Sequence, residues 1–184
     1  NHRAVLDAIS SSTASWVLHM AAFTDVQGAE REKDKGKESV AWHVNVEATK
    51  NIVDVCQTTG KHLLYVDTDY AFDGTKKSYD ETDTPNPKSW YEITKSEGAK
   101  HVLSLGEHGL VIRIANPYRA HLVGHSAPAG LPAIAALRRL QAGKKDFVHK
   151  MIDRFVSSLD ISVPPAQIFV PTFVDDIAYA IDVL

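Results

Sequence analysis

Three short apolar runs, separated by stretches with helical periodicity, most constrain how this chain can fold. The runs begin at Trp16, His62 and Leu110. Each follows a segment whose apolar residues recur every three or four positions, so the predicted order is helix, strand, helix, strand, helix, strand. Continuously apolar strands that alternate with helices are typical of a parallel sheet buried on both faces, with right-handed crossovers. We therefore predict an α/β fold with a doubly wound parallel sheet.

The same periodicity gives approximate bounds for these elements. The predicted helices are 4–9, 44–60 and 89–105, and the predicted strands are 16–18, 62–66 and 110–114. The regular alternation stops after Pro117. Beyond it we expect helices over residues 128–142, 146–158 and 174–184.

Composition excludes some classes of function. The net charge is -3, the pI is near 6.3, and basic residues are scattered, which leaves no electrostatic footprint for nucleic acid or an anionic membrane. No apolar run approaches the ~20 residues that span a bilayer, and no signal-peptide pattern begins the chain, so we expect a cytoplasmic protein. The single cysteine, Cys56, is predicted to be a buried, inert thiol.

Small and polar residues follow the predicted strands, and ligands bind parallel sheets at the carboxyl ends of their strands. Ala21 and Ala22 follow the first strand, where small side chains let a flat cofactor lie close to the backbone. Thr68, between two aspartates, follows the second strand. The alternative interpretation is that these aspartates and Thr68 only cap a turn.

Tyr91 and Lys95 lie four residues apart on a predicted helix, so they share one face. A free tyrosine has a pKa near ~10, and an adjacent cation is needed if it is to exchange a proton near neutrality. Alone, this spacing is usual on protein surfaces. Because it follows the Thr68 strand end, we interpret Thr68, Tyr91 and Lys95 as a catalytic group.

The sequence around these residues resembles a known family. The segment Tyr65-Val66-Asp67-Thr68-Asp69-Tyr70-Ala71-Phe72-Asp73-Gly74, followed by Tyr91 and Lys95, is similar to the dTDP-4-dehydrorhamnose reductase family of extended short-chain dehydrogenases, the NAD-dependent epimerase/dehydratase group. Supporting motifs run in the family's order at residues 17–22, 44–46, 113–118 and 171–178. The resemblance implies a partial, Rossmann-like dinucleotide-binding domain over residues 1–116 and a small substrate-binding annex over residues 117–184.

The resemblance also implies roles for individual residues. Tyr91 would protonate the sugar's carbonyl oxygen as hydride arrives from the nicotinamide, Lys95 would hold the ribose and lower the pKa of Tyr91, and Thr68 would hydrogen-bond the reacting oxygen. The implied cofactor is NADP or NAD, and the implied cofactor contacts are Ala21, Ala22, Tyr91, Lys95 and Asn116. The implied contacts to a nucleotide-sugar substrate are Asp69, Tyr70, Phe72 and Pro117. The chain could also form a homodimer or bind a partner enzyme, and the sequence leaves both possibilities open.

The chain departs from the family's pattern in two ways that matter. No glycine-rich turn of the kind that binds a pyrophosphate occurs in the sequence, so we expect that the first two or three strands of the usual fold are not included, and that the chain does not turn over alone. Asp67 stands where the family usually has serine. Beside Asp69 it either opposes phenolate formation at Tyr91 or points away.

The predicted function is an NAD(P)-dependent reductase of a nucleotide-sugar 4-keto group. The alternatives are a nucleotide-sugar epimerase or dehydratase, and a non-catalytic regulatory or binding subunit of the same fold. A metal site is not predicted, because His121 and His125 flank Gly124 and no further ligand completes a set. His19 is interpreted as a packed histidine at a strand end.

Overall fold

The computed structural model describes residues 2–118, 146–157 and 170–183. The chain divides into two compact units, residues 1–114 and 115–184, and each is described by itself. Helices and strands alternate through the first unit in the predicted order. His121, His125 and the predicted helix over residues 128–142 lie outside the described residues.

Three parallel strands form the sheet of the first unit, in the order β1, β2, β3. They are β1 (Trp16–His19), β2 (His62–Thr68) and β3 (Gly109–Ile114). The register aligns Leu18 with Leu64 and Leu64 with Leu110. The predicted α/β fold with a parallel sheet is confirmed.

The helices of the first unit precede or connect these strands. They are α1 (His2–Ser10), α2 (Val26–Arg31), α3 (Val40–Trp42), α4 (Ala48–Thr59) and α5 (Trp90–Leu103). A π-helical turn, His43–Glu47, joins α3 to α4, which confirms a long crossover helix between β1 and β2. Gly60 ends it with a φ of 67°, a left-handed conformation that glycine adopts without steric cost.

The core lies where β2 packs against α4 and α5. Its buried members are Val53, Cys56, Leu63, Tyr65, Ala99 and Val102. Leu63 and Tyr65 point to the same side of β2, because side chains two apart in a strand share a face. Burial raises the pKa of the Cys56 thiol, and the prediction of a buried, inert cysteine is confirmed.

The prediction that the first strand is buried is wrong for two of its residues. Trp16 and Leu18 are 42% and 48% exposed. Val17 packs against the core and His19 is buried, so only alternate residues of β1 face the helices. In the described sheet β1 is an edge strand, and the Trp16 ring stacks on His62 with 4.7 Å between centroids.

The second unit contains α6 (Phe147–Val156) and α7 (Val174–Asp182), as predicted from the sequence. Two backbone segments pair within it: the Thr172 N–H donates to the Ala115 carbonyl at 2.8 Å, and the Val174 N–H donates to the Tyr118 carbonyl at 3.0 Å. Within the described residues, no helix is long and apolar enough to cross a membrane.

Candidate active site

Thr68 is the last residue of β2, at the carboxyl end of the sheet. Its hydroxyl accepts from the Tyr70 N–H at 3.3 Å and so caps a short 3₁₀ helix, Asp69–Ala71. The Thr68 hydroxyl also lies 3.4 Å from the Asp69 carboxylate. Turn capping, the alternative interpretation of Thr68, is therefore present in the structure, and the Thr68 side chain also lowers the pKa of Tyr91.

The start of α5 fixes where Tyr91 lies. Ser89 caps the helix, and its hydroxyl and the Glu92 carboxylate form a reciprocal capping box. The Trp90 N–H donates to the Glu30 carboxylate at 2.8 Å, which attaches this first turn to α2. Tyr91 is 9% exposed and packs in a small cluster with Ala29 and Ala41. The tyrosine is therefore held by contacts on both sides of the helix start.

Lys95, one turn after Tyr91, is 3% exposed. Its ammonium donates to the Val66 carbonyl at 2.8 Å and lies 3.9 Å from the centre of the Tyr65 ring. Burial lowers the pKa of Lys95 to about 8, and the Asp67 carboxylate acts in the opposite direction. Lys95 thus carries a buried charge with partners from β2.

The pKa of Tyr91 moves opposite to the prediction. Burial, together with the charges of Asp67 and Asp69, raises the pKa of Tyr91 to about 12. Interaction with the Thr68 side chain lowers it. The Lys95 ammonium, which we expected to lower the pKa of Tyr91, donates to the Val66 carbonyl, and its effect on Tyr91 stays a prediction. In this structure Tyr91 is a phenol throughout the neutral range.

Asp67 lies on the helix-covered face of β2, in register with Arg113 of β3. Its side chain is 0% exposed, and one carboxylate oxygen lies 3.3 Å from the Arg113 Nε. The other oxygen, Oδ1, has no hydrogen-bond partner among the described residues. Burial raises the pKa of Asp67, while Lys95 and Arg113 oppose that effect. Of the two alternatives for Asp67, the structure supports the one in which its charge acts on Tyr91.

His19 is packed at the end of β1, as predicted. Its Nε2 is 2.9 Å from the Thr49 hydroxyl, and its ring lies 5.3 Å from the Tyr65 ring. Burial and, to a smaller extent, the nearby Lys95 charge lower the pKa of His19 to about 4. The imidazole is therefore neutral near pH 7.

Asn45 connects the segment after β1 to the helix of Tyr91, a role that sequence reasoning missed. The Asn45 side chain accepts from the Phe23 N–H at 2.8 Å and donates to the Phe23 carbonyl at 3.2 Å. It also donates to the Thr94 hydroxyl at 3.0 Å, and that hydroxyl donates to the Tyr91 carbonyl at 2.8 Å. A buried asparagine in an otherwise apolar helical stretch was the available signal.

The remaining predicted contacts differ in how the structure places them. Ala21 and Ala22 follow β1 without regular structure, Ala21 exposed and Ala22 half-buried. Asn116, with a φ of 39°, and Pro117 belong to the second unit, so they are not placed relative to Thr68, Tyr91 and Lys95. Phe72 stacks on Tyr79 at 4.4 Å. The half-buried Tyr70 follows directly after Asp69, whose pKa is raised by burial.

The loop between Phe72 and α5 is organised around the Asp73 carboxylate. It accepts hydrogen bonds from Thr75, Tyr79 and Asn86, which lower the pKa of Asp73. A cavity of about 480 Å³ lies in this loop, away from Thr68, Tyr91 and Lys95. Within the described residues, no group of three or more His, Cys, Asp or Glu side chains is placed to hold a metal ion.

Comparison with known proteins gives this arrangement a family. The whole chain, residues 1–184, matches the family profile described as the RmlD substrate binding domain. The chain belongs to this RmlD substrate-binding family. A dTDP-4-dehydrorhamnose reductase of Mycobacterium tuberculosis (strain ATCC 25618 / H37Rv) is 32% identical over 170 residues, which are 90% of this chain and 47% of that protein. The chain thus spans about half the length of this relative.

Two further similarities bear on the RmlD-family chain. The crystal structure of dTDP-4-dehydrorhamnose reductase from Bacillus anthracis, in complex with NADP, superposes with a TM-score of 0.77 at 27% identity, over 99% of this chain and 56% of that one. Methionine adenosyltransferase 2 subunit beta of Bos taurus is 40% identical over 88 residues, which are 47% of this chain and 26% of that protein. The second match covers only part of the chain.

Proposed function

We propose that this chain is part of an NAD(P)-dependent reductase that reduces the 4-keto group of a nucleotide sugar, as a dTDP-4-dehydrorhamnose reductase does. One observation carries the proposal. Tyr91 and Lys95 lie one turn apart on α5, both buried, and the Lys95 ammonium bonds the Val66 carbonyl of β2, the strand that ends at Thr68. The similarity to the Mycobacterium tuberculosis reductase over most of this chain supports it.

The three residues divide the proton chemistry between them. Tyr91, a phenol at neutral pH, donates its proton to the sugar's carbonyl oxygen as that oxygen gains negative charge. The Thr68 hydroxyl donates a second hydrogen bond to the same oxygen, and two neutral donors stabilise it without adding a buried net charge. The Lys95 ammonium then stabilises the phenolate that remains on Tyr91.

The residues at this site fit a nicotinamide cofactor, either NADP or NAD. An ammonium carries three donors, and Lys95 uses one of them on the Val66 carbonyl within the described residues, so donors remain for ribose hydroxyls. Ala21 and Ala22 leave the backbone after β1 approachable. The bound cofactor would supply the hydride.

The state of Tyr91 favours a reductase over an epimerase or dehydratase. In the reductase direction Tyr91 begins as the acid, whereas oxidation of the sugar as a first step requires it to begin as a base. Burial and two neighbouring carboxylates hold the pKa of Tyr91 at about 12, which favours the protonated form. The resting site therefore holds Tyr91 in the protonated form from which a reduction begins.

A second candidate is a non-catalytic subunit that binds another enzyme. It is favoured by the 40% identity to methionine adenosyltransferase 2 subunit beta over 88 residues, a higher identity than that to the reductase. Turnover separates the two candidates, because a purely regulatory subunit consumes no NADPH with any nucleotide 4-keto sugar.

The reductase proposal is tested by following NADPH oxidation with a panel of nucleotide 4-keto sugars. We expect Tyr91→Phe to lower kcat about 10²- to 10³-fold, because the proton donor is removed while the ring still packs. Tyr79→Phe is the matched control: it also removes a phenol hydroxyl, a partly buried one in the Asp73 loop. Equal rates for wild type and Tyr91→Phe would contradict the proposal.

A further inference from the structure

Asp67 is a buried carboxylate that the proposed proton chemistry does not use. It lies on the face of β2 that the core helices cover, and its side chain is fully buried. Arg113, directly opposite on β3, is its ion-pair partner at 3.3 Å. A buried carboxylate is costly unless its charge is compensated, and here one of its two oxygens has no partner among the described residues. An incompletely bonded buried charge of this kind calls for a reason.

The surroundings of Asp67 supply one. Titratable and charged groups face this buried cluster from each element packed there. They are His19 of β1, Cys56 of α4, Tyr65 and Asp67 of β2, Asp69 and Tyr70 of the 3₁₀ helix, Tyr91 and Lys95 of α5, and Arg113 of β3. Asp67 is the fully buried carboxylic acid among them. Lys95 lies beside it: its ammonium donates to the carbonyl of Val66, the residue before Asp67, at 2.8 Å, and lies 3.9 Å from the ring of Tyr65, which shares the face of β2 with Asp67. Asp69, the first residue of the 3₁₀ helix, is the other carboxylate that acts on Tyr91.

We propose that Asp67 is a positioning residue for the reaction: paired with Arg113, it places a negative charge beside Tyr91 and Lys95 that holds them as phenol and ammonium. This inference rests on the proposed function. Burial by itself disfavours the ammonium form of Lys95, and the Asp67 charge counters that effect. The same charge disfavours a phenolate at Tyr91. Both effects favour the protonation states from which a reduction begins.

Asp67→Asn tests the proposal, because it removes the charge and keeps the shape. We expect the titration midpoint of Lys95 to fall by about one pH unit when an opposite charge at this range is lost. The midpoint is measured on the full protein by NMR of lysine labelled with ¹³C at Cε, with the Lys95 resonance assigned from Lys95→Arg. This readout needs neither cofactor nor turnover. An unchanged midpoint would overturn the proposal.

Asp73→Asn is the matched control, since it removes the largely buried carboxylate that organises the loop. We expect Asp73→Asn to lower the melting temperature and to leave the titration midpoint of Lys95 unchanged. If Asp67 had only a structural role, Asp67→Asn would give the same result: a lower melting temperature with an unchanged Lys95 midpoint. If Asp67→Asn does not fold, Asp67→Ser provides a smaller neutral side chain for the same titration.

Kinetic measurements on the same samples distinguish failure of the reductase proposal from failure of the Asp67 proposal. If wild type turns over, we expect the alkaline limb of the pH profile of kcat to lie at lower pH in Asp67→Asn than in wild type. The reason is that Lys95 and Tyr91 both lose their protons at lower pH in the variant. If wild type oxidises neither NADPH nor NADH, the reductase proposal fails, but a shifted Lys95 midpoint still supports Asp67 as the group that sets its charge.

Discussion

Tyr91 and Lys95 share one face of α5, yet burial moves their pKa values apart. The pKa of Tyr91 rises to about 12 and that of Lys95 falls to about 8, because burial disfavours the charged form of each. Both pKa values lie above 7, so the phenol and the ammonium coexist at neutral pH. These are the protonation states from which Tyr91 would donate a proton and the Lys95 ammonium would stabilise the resulting phenolate.

His19 gives a stability prediction at the residue scale. Its pKa is about 4 in the folded chain and 6.5 in the unfolded chain, so the unfolded chain binds more protons between these values. The stability contributed by the neutral imidazole is present above pH 6.5 and is lost as the pH falls through 4. Between pH 7 and pH 4.5 we expect this one group to remove about 2 to 3 kcal/mol from the free energy of unfolding.

The measurement is urea unfolding at pH 7 and pH 4.5 for wild type and His19→Gln. Glutamine does not titrate in this range and keeps a donor for the Thr49 hydroxyl. The pH dependence should therefore become shallower in His19→Gln, whereas His101→Gln, on α5, should match wild type. The same slope for all three chains would show that His19 is protonated without cost.

At the scale of elements, α5 is held at a fixed distance from the π-helical turn. A Cβ at Gly98 would lie 2.4 Å from the Asn45 carbonyl oxygen and 2.9 Å from the Tyr65 hydroxyl. The backbone atom cannot move away cheaply, since Asn45 also bonds Phe23 and Thr94. The position of Tyr91 therefore depends on a glycine two turns further along its helix.

Gly98→Ala is expected to destabilise the protein by about 1–3 kcal/mol, the range usual for overpacking. Helix propensity alone would predict the opposite sign, because alanine is the better helix former. Thermal and urea unfolding measure the change, with Glu97→Ala on the exposed side of the same helix as the control. A more stable Gly98→Ala chain would mean that α5 does not approach Asn45 as closely as the structure has it.

The helices and strands could be predicted from the sequence where nearby residues determine them. The apolar run of β2, the Ser89 cap of α5 and the Gly60 end of α4 are each specified within a few residues. The hydrogen bonds of Asn45 to Phe23 and Thr94, and the raised pKa of Tyr91, depend on contacts between residues far apart in sequence. The spacing of residues along the chain does not reveal such contacts. The exposure of Trp16 and Leu18 likewise depends on what covers β1 and not on the apolar pattern itself.

At the scale of the whole molecule, the order of motifs along the chain predicted the family, and the match over residues 1–184 confirms it. The assignment of residues 1–116 to cofactor and 117–184 to substrate stays a prediction, as do the roles of Asn116 and Pro117. The chain covers about half of its curated reductase relative. The activity of the whole protein therefore stays a proposal.

The central claim is that this site gives a net reduction, and hydride tracing tests it most directly. With NADPH deuterated at the transferred position of C4 and a nucleotide 4-keto sugar, we expect one deuterium at C4 of the sugar product per NADPH consumed, measured by mass spectrometry. Tyr91→Phe should lower the rate of this transfer without changing where the deuterium goes. Conversion of the sugar with no net consumption of NADPH would contradict the account and support an epimerase.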